Sequence, residues 1–251
     1  MRIVVVGGTG LIGADLVDVL RDHGHSVVAA SRATGINSYT GEGLAEALSG
    51  AEVVVDVSNS SYTDEAGAEE FFEISTLNLL TFGAAAGVHH HVALSVVGTD
   101  RLADTERGYF RAKFEQEKLI RASRHAYSIV HATQFFEFVR TIADAATQNN
   151  VVRVAHALVQ PMAAEDVVRV VARTAVGNPV NGIREFAGPE VFRLDELVRH
   201  RLAAGNDPRE VSADPLARYF GTNLRVDELL PSADAELVST RFDDWLHRVP
   251  A

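Results

Sequence analysis

The chain has 251 residues, 47% of them hydrophobic, enough to bury the core of one large α/β domain. Its formal net charge of −11 leaves no basic excess to neutralise phosphates, which argues against nucleic acid and anionic membranes as partners. The absence of cysteine excludes disulfides, thiolate nucleophiles, cysteine-based zinc sites and iron–sulfur clusters.

In chain order, residues 2–6 read as a β-strand and residues 11–22 as a helix with Ile12, Leu16, Val19 and Leu20 on one face. Strand 26–30 follows, then a short helix at 42–48 and a nearly all-apolar strand at 52–57, as expected for burial on both faces. A long helix over 65–86 stops at Gly87. Strand 91–96, helix 107–124 and strand 127–132 complete a βα alternation, which predicts right-handed crossovers and an open parallel sheet. The second half is less regular. It carries an expected helix at 135–148, short strands near 151–154 and 158–160, helix 164–176, strand 183–187, helix 194–204 and a last helix at 234–247. The fold class is therefore α/β, a Rossmann-type doubly wound parallel sheet. The expectation is a single domain over 1–251 in which about 151–251 forms a small substrate-side lobe. No apolar run reaches the length of a membrane span. The first strand begins at Arg2 or Ile3, with no room for a targeting peptide, so the expected location is cytoplasmic.

The richest segment is Gly7-Gly8-Thr9-Gly10-Leu11-Ile12-Gly13, set between the first strand and the first helix. Glycines there permit a tight turn and close approach of a pyrophosphate, and a helix N-terminus offers free N–H groups and the positive end of its dipole. An NAD-binding unit would carry an acid about 20 residues on, for the ribose 2′-hydroxyl. Ser31 and Arg32 stand there instead. An Arg holds a 2′-phosphate that an acid would repel, so the expected cofactor is NADP(H).

Ser95 ends the fourth strand, and Tyr109 and Lys113 lie four apart in a predicted helix, on one face. A lysine ammonium beside a phenol favours the phenolate, which can then exchange a proton with a substrate oxygen. Ser95 is positioned to orient that oxygen, and Lys113 also to bond the ribose hydroxyls. The adjacent His89, His90 and His91 do not suggest a metal site, because consecutive strand residues point to opposite faces. The acids Asp64, Glu65, Glu69 and Glu70 suit a helix start facing water. Tyr62, Gln134, Phe135, Phe136, Phe138 and Met162 are candidates for a substrate pocket wall, with helix-core packing the alternative for the three phenylalanines.

These pieces resemble the short-chain dehydrogenase/reductase superfamily, and within it the atypical, NmrA-like NAD(P)-binding branch. The resemblance rests on residues 7–13, Ala30-Ser31-Arg32, Ala93-Leu94-Ser95-Val96-Val97-Gly98, Tyr109-Phe110-Arg111-Ala112-Lys113 and Phe186-Ala187-Gly188-Pro189-Glu190. It implies that Ser95, Tyr109 and Lys113 are the catalytic positions. It further implies that Ser58, Asn59, Ala132 and Thr133 lie with Ser95 and Lys113 around the cofactor. Related sequences often have Arg where His131 stands, a departure beside the nicotinamide. The resulting expectation is an NADPH-dependent oxidoreductase acting on a small carbonyl-containing substrate. A non-catalytic NADP-binding redox sensor is the alternative, as is an epimerase, dehydratase or isomerase on the same site. The expected assembly is a monomer or homodimer; in the related family helices such as 65–86 and 107–124 form dimer faces.

Overall fold

The structure, a computed structural model, describes residues 1–60, 64–103 and 108–248. The chain divides into two compact units, Met1–His131 with Val167–Arg184, and Ala132–Asp166 with Glu185–Ala251.

The first unit is built on the βα alternation. β1 (Arg2–Val6), β2 (Ser26–Ala30), β3 (Val53–Asp56) and β4 (His90–Val96) are joined through α1 (Leu11–Asp22), α2 (Leu44–Leu48) and α3 (Glu65–Ala86). Then come α4 (Thr99–Leu102), α5 (Tyr109–Ala122) and β5 (Tyr127–Ala132). The main sheet runs β12-β9-β5-β4-β3-β1-β2, with β9 at Gly182–Ala187 and β12 at Glu236–Leu237. β1 pairs in parallel with β2 and β3, and β3 with β4, in the register Val6↔Ala30, Val6↔Asp56 and Asp56↔Ala93. The apolar runs of β1 and β3 reflect burial on both faces: Ile3, Val4, Val5, Val54 and Val55 have no exposed surface. Leu44, Leu48 and Leu79 pack on one group of these valines. Across α3 and α5, Phe72 and Ala68 close on Ala112, while Ile120 of α5 packs against Ala93 and Ile129 of the sheet. α3 starts on an Asp64 side-chain cap that accepts from the Gly67 N–H, and it ends at Gly87.

The second unit holds α6 (Val139–Ala145), β6 (Thr147–Gln148), β7 (Val151–Ala155) and β8 (Leu158–Val159). α7 (Ala164–Val176) begins in it. Further along are β10 (Phe192–Arg193), α8 (Leu194–Ala204), β11 (Glu210–Asp214) and α9 (Phe242–Leu246). Its aromatic core gathers Phe136, Phe242 and Trp245, with ring centroids 5.1 to 5.7 Å apart.

Two expectations are corrected here, and one strand is added. The helix expected at 135–148 is a 3₁₀ turn at Phe136–Phe138 followed by α6, and then β6. β6 folds back on β7 through Asn149 and Asn150, which both take positive φ (49° and 63°), the conformation of a two-residue hairpin turn. The last helix, expected at 234–247, is only α9, because Glu236 and Leu237 pair with Phe186 and Ala187 as β12. β11, not foreseen, pairs in parallel with β7.

Candidate functional site

The glycine turn is dictated by close backbone approach. Gly7 has φ of +80°, and a Cβ on it would lie 2.8 Å from the Ser58 nitrogen. A Cβ on Gly13 would lie 2.1 Å from the Gly7 oxygen, so the start of α1 packs directly on the turn. The Gly7 and Gly8 N–H groups donate to the Ala30 oxygen at 2.9 and 3.2 Å, which ties the turn to the end of β2. Thr9, Gly10 and Leu11 are exposed, and α1 has neither a side-chain cap nor an acidic residue in its first turn. This is an open, electropositive helix start with no Cβ in the way, and it fits a pyrophosphate.

At the end of β2, Ser31 opens a single 3₁₀ turn, Arg32–Thr34, in which its N–H donates to Thr34 Oγ1 at 2.9 Å. Arg32 is exposed, and among the described residues its guanidinium has no hydrogen-bond or ion-pair partner. At the end of β3, Asp56 Oδ1 accepts from both the N–H (2.9 Å) and the hydroxyl (2.6 Å) of Ser58, fixing the loop that presents exposed Asn59.

α5 carries the chemistry-bearing residues. Tyr109 is its first residue, half-buried, with its ring edge-on to Phe72 at 6.0 Å. Lys113, one turn on, is 2% exposed. Its Nζ donates to the Leu94 oxygen at 2.8 Å and to Gln116 Oε1, and lies 4.5 Å above the Phe72 ring. Tyr109 and Lys113 therefore share one ring of α3 as their floor. Burial pushes the Lys113 ammonium down to about 8, with the charges of Asp56 and Glu117 opposing that shift. Ser95 donates its hydroxyl to Glu117 Oε1 at 2.5 Å, and the same oxygen meets His131 Nε2 at 2.9 Å. Burial alone would raise the Glu117 pKa. The His131 hydrogen bond and charge, the Ser95 hydroxyl and the Lys113 charge outweigh it and hold the carboxyl below its usual range. With its proton given to Glu117, Ser95 has only lone pairs to offer a further group.

Four residues of this cluster escaped the sequence reading as site members: Asp56, Gln116, Glu117 and, beyond its mention as a departure, His131. Glu117 had a signal, since it stands four residues after Lys113 on the same helical face.

In the second unit, Thr133 donates its N–H to the Phe186 oxygen and its hydroxyl to the Gln160 oxygen, directly after Ala132. Gln134 is 9% exposed, and neither atom of its amide has a partner among the described residues. Phe135 stacks on Phe138 at 5.5 Å, and Phe136 and Met162 are fully buried. Tyr62 lies outside the described residues. Among the described residues no group of three histidine or acidic side chains is arranged to hold a metal. His90 Nε2 lies 2.8 Å from Ser128 Oγ, and burial pushes His91 down to about 4, with the Asp56 charge opposing.

A parallel sheet of this strand order with this glycine turn defines a Rossmann-type α/β protein. Within that class the chain belongs to the NAD dependent epimerase/dehydratase family, whose model matches residues 3–137. The photosystem II assembly factor Ycf39 of Synechocystis is 31% identical over 111 residues, 39% of this chain and 34% of that protein. The match thus spans about a third of the length of that relative. The UDP-glucose 4-epimerase of Thermotoga maritima, solved with UDP-glucose, superposes with a TM-score of 0.71 at 16% identity over 93% of this chain and 90% of its own. RMD from Pseudomonas aeruginosa, solved with NADPH, gives 0.61 at 15% identity over 85% and 87%. At these identities the likeness to the solved structures is one of fold. Among the described residues no helix is long and apolar enough to cross a membrane.

Proposed function

We propose that the chain is an NADP(H)-dependent oxidoreductase acting on a small carbonyl-containing substrate or the corresponding alcohol. The observation that carries this reading is Arg32: an exposed guanidinium two residues beyond β2, without a partner among the described residues and with no acid in the ribose position. The turn at residues 7–13 would hold the pyrophosphate, Ser31 and Arg32 the 2′-phosphate, and the Asp56-fixed loop with Ser58 and Asn59 the nicotinamide side. Ala132 and Thr133 complete the set. The bound cofactor would supply hydride exchange at its nicotinamide. Tyr109 would move the proton at the reacting oxygen, Lys113 would favour its phenolate, and Ser95 would accept from a hydroxyl. Gln134, Phe135, Phe136, Tyr62 and Met162 are proposed for the substrate, Gln134 foremost because its buried amide wants both a donor and an acceptor.

The family match and the acceptor-only state of Ser95 favour a second reading, an epimerase or dehydratase that begins by oxidising a hydroxyl.

The test is a fluorescence titration with NADPH and NADH, followed by absorbance assays on a carbonyl and sugar-nucleotide panel. Parent protein should prefer NADPH, and R32D should lose that preference by about tenfold or more, the worth of one charged hydrogen-bonded contact. Equal affinity of the parent for both dinucleotides overturns the NADP(H) assignment. Turnover on the panel that survives Tyr109→Phe unchanged overturns the role of Tyr109.

A further inference from the structure

Two buried polar chains leave α5 from consecutive residues. Glu117 holds Ser95 and His131, while Gln116 joins Lys113 to Asp56. In the second chain Gln116 Oε1 accepts from Lys113, and its Nε2 donates to Asp56 Oδ2 at 3.0 Å. Gln116 is 1% exposed, so these bonds are made away from water and fix which end of the amide is which. The other Asp56 oxygen is taken by Ser58. An ammonium has three N–H groups, and Lys113 faces the Gln116 oxygen, the Leu94 carbonyl of β4 and the Phe72 ring of α3. The charged and titratable groups around it are Tyr109, one turn earlier on α5 and against the same Phe72 ring, Asp56 from β3 and Glu117 from α5, the latter backed by His131 of β5. Among the described residues no carboxylate oxygen is hydrogen-bonded to Lys113 directly; the amide stands between.

That interposition has a physical consequence. A direct Asp–Lys pair in a dry interior would lock the ammonium in one geometry. Through the amide, Lys113 can trade the Gln116 oxygen for a ligand hydroxyl while Gln116 stays bonded to Asp56 and Ser58 stays in place. We propose that Gln116 is a positioning residue which, by holding Asp56 and Lys113 apart on one amide, sets how freely the lysine can give its N–H groups to a bound ligand hydroxyl. In identifying that hydroxyl as a cofactor ribose the inference rests on the dinucleotide reading above; the bridge itself does not.

The chain has only two lysines, Lys113 and Lys118, and Lys118 is an exposed partner of Glu115 at 2.8 Å. Labelling lysine Cε with ¹³C therefore gives two side-chain signals, one of them an internal control. Titrated by NMR without ligand, Lys113 of the parent should lose its proton at lower pH than Lys118. Gln116→Glu, which converts the bridge into a direct ion pair, should raise the Lys113 midpoint by about one pH unit or more, and Asp56→Asn should lower it by about half a unit. Lys118 should move in neither variant. The Gln116→Glu protein should also bind NADPH about fivefold or more weakly than the parent, because its lysine is locked. A Lys113 midpoint unmoved by Gln116→Glu overturns the bridge. Should that variant fail to fold, an unmoved midpoint in Asp56→Asn does the same. A moved midpoint with unchanged NADPH affinity overturns the claim that the amide governs what the lysine gives a ligand. If the parent binds no dinucleotide at all, it is the cofactor reading that falls, and the titration alone judges the bridge.

Discussion

Lys113 and Glu117 lie one turn apart on α5 and answer to pH with opposite charges. Burial holds the Lys113 pKa at about 8, below its ordinary 10.5, so the charged form is disfavoured in the folded chain. Its contribution to stability is therefore present above the unfolded value and lost as pH falls through about 8. Measured against Lys113→Met, the parent should gain up to roughly 3 kcal/mol between pH 7 and pH 10.5, a difference that paired denaturant titrations would resolve. Glu117 has a depressed pKa, so its contribution is present above the unfolded carboxylate range and lost as pH falls through the folded value. Glu117→Gln should cost about 1–3 kcal/mol at pH 7, and the gap in melting temperature should narrow towards pH 4. A gap that stays constant with pH would mean the carboxylate's charge does not matter there. At this scale, Ser95, Tyr109 and Lys113 could be named as candidates because each carries its own signal, a strand end or an i, i+4 pair. Asp56 and Gln116 were not, because their meaning lies in a bond between a strand and a helix 60 positions apart.

Elements were legible where apolar periodicity and a terminator agreed. β1, α1, β2 and α3 match the sequence reading residue for residue, α3 with Gly87 as its stop. The readings failed where pairing decided the outcome. Residues 147–148 and 236–237 are strands only because β7 and β9 accept them. The β6–β7 turn offers a test of that account. Asn150, at φ of 63°, tolerates the left-handed region but glycine prefers it, so Asn150→Gly should raise stability by a few tenths to about 1 kcal/mol. Asn150→Val should lower it by about 1–2 kcal/mol, and equal melting temperatures would deny the hairpin. At the glycine turn, Gly13→Ala must push a methyl into the Gly7 carbonyl. The variant should lose about 1–3 kcal/mol and most of its dinucleotide affinity.

The whole chain carries 34 acidic residues against 23 lysines and arginines. Its exposed ion pairs, such as Arg111–Glu115 at 3.0 Å, contribute little each, so the net repulsion should dominate the response to salt. Raising sodium chloride from about 0.05 to about 0.5 M should increase the melting temperature by a few degrees, and a decrease would show that the ion pairs outweigh the repulsion. The βα order, and with it the fold class, was legible at this scale because it follows from periodicity alone. The division into two compact units was not, since each unit is assembled from two segments separated in the chain. The second unit also holds the chain's single tryptophan. Trp245 donates its indole N–H to Glu137 at 2.9 Å and stacks on Phe242 at 5.7 Å, 6% exposed. Excited at the red edge of the protein absorption band, the unmodified chain thus emits from one known address. Its intrinsic light follows the α9 neighbourhood, while peptide dichroism averages over both units, so the protein arrives with its own regional optical gauge.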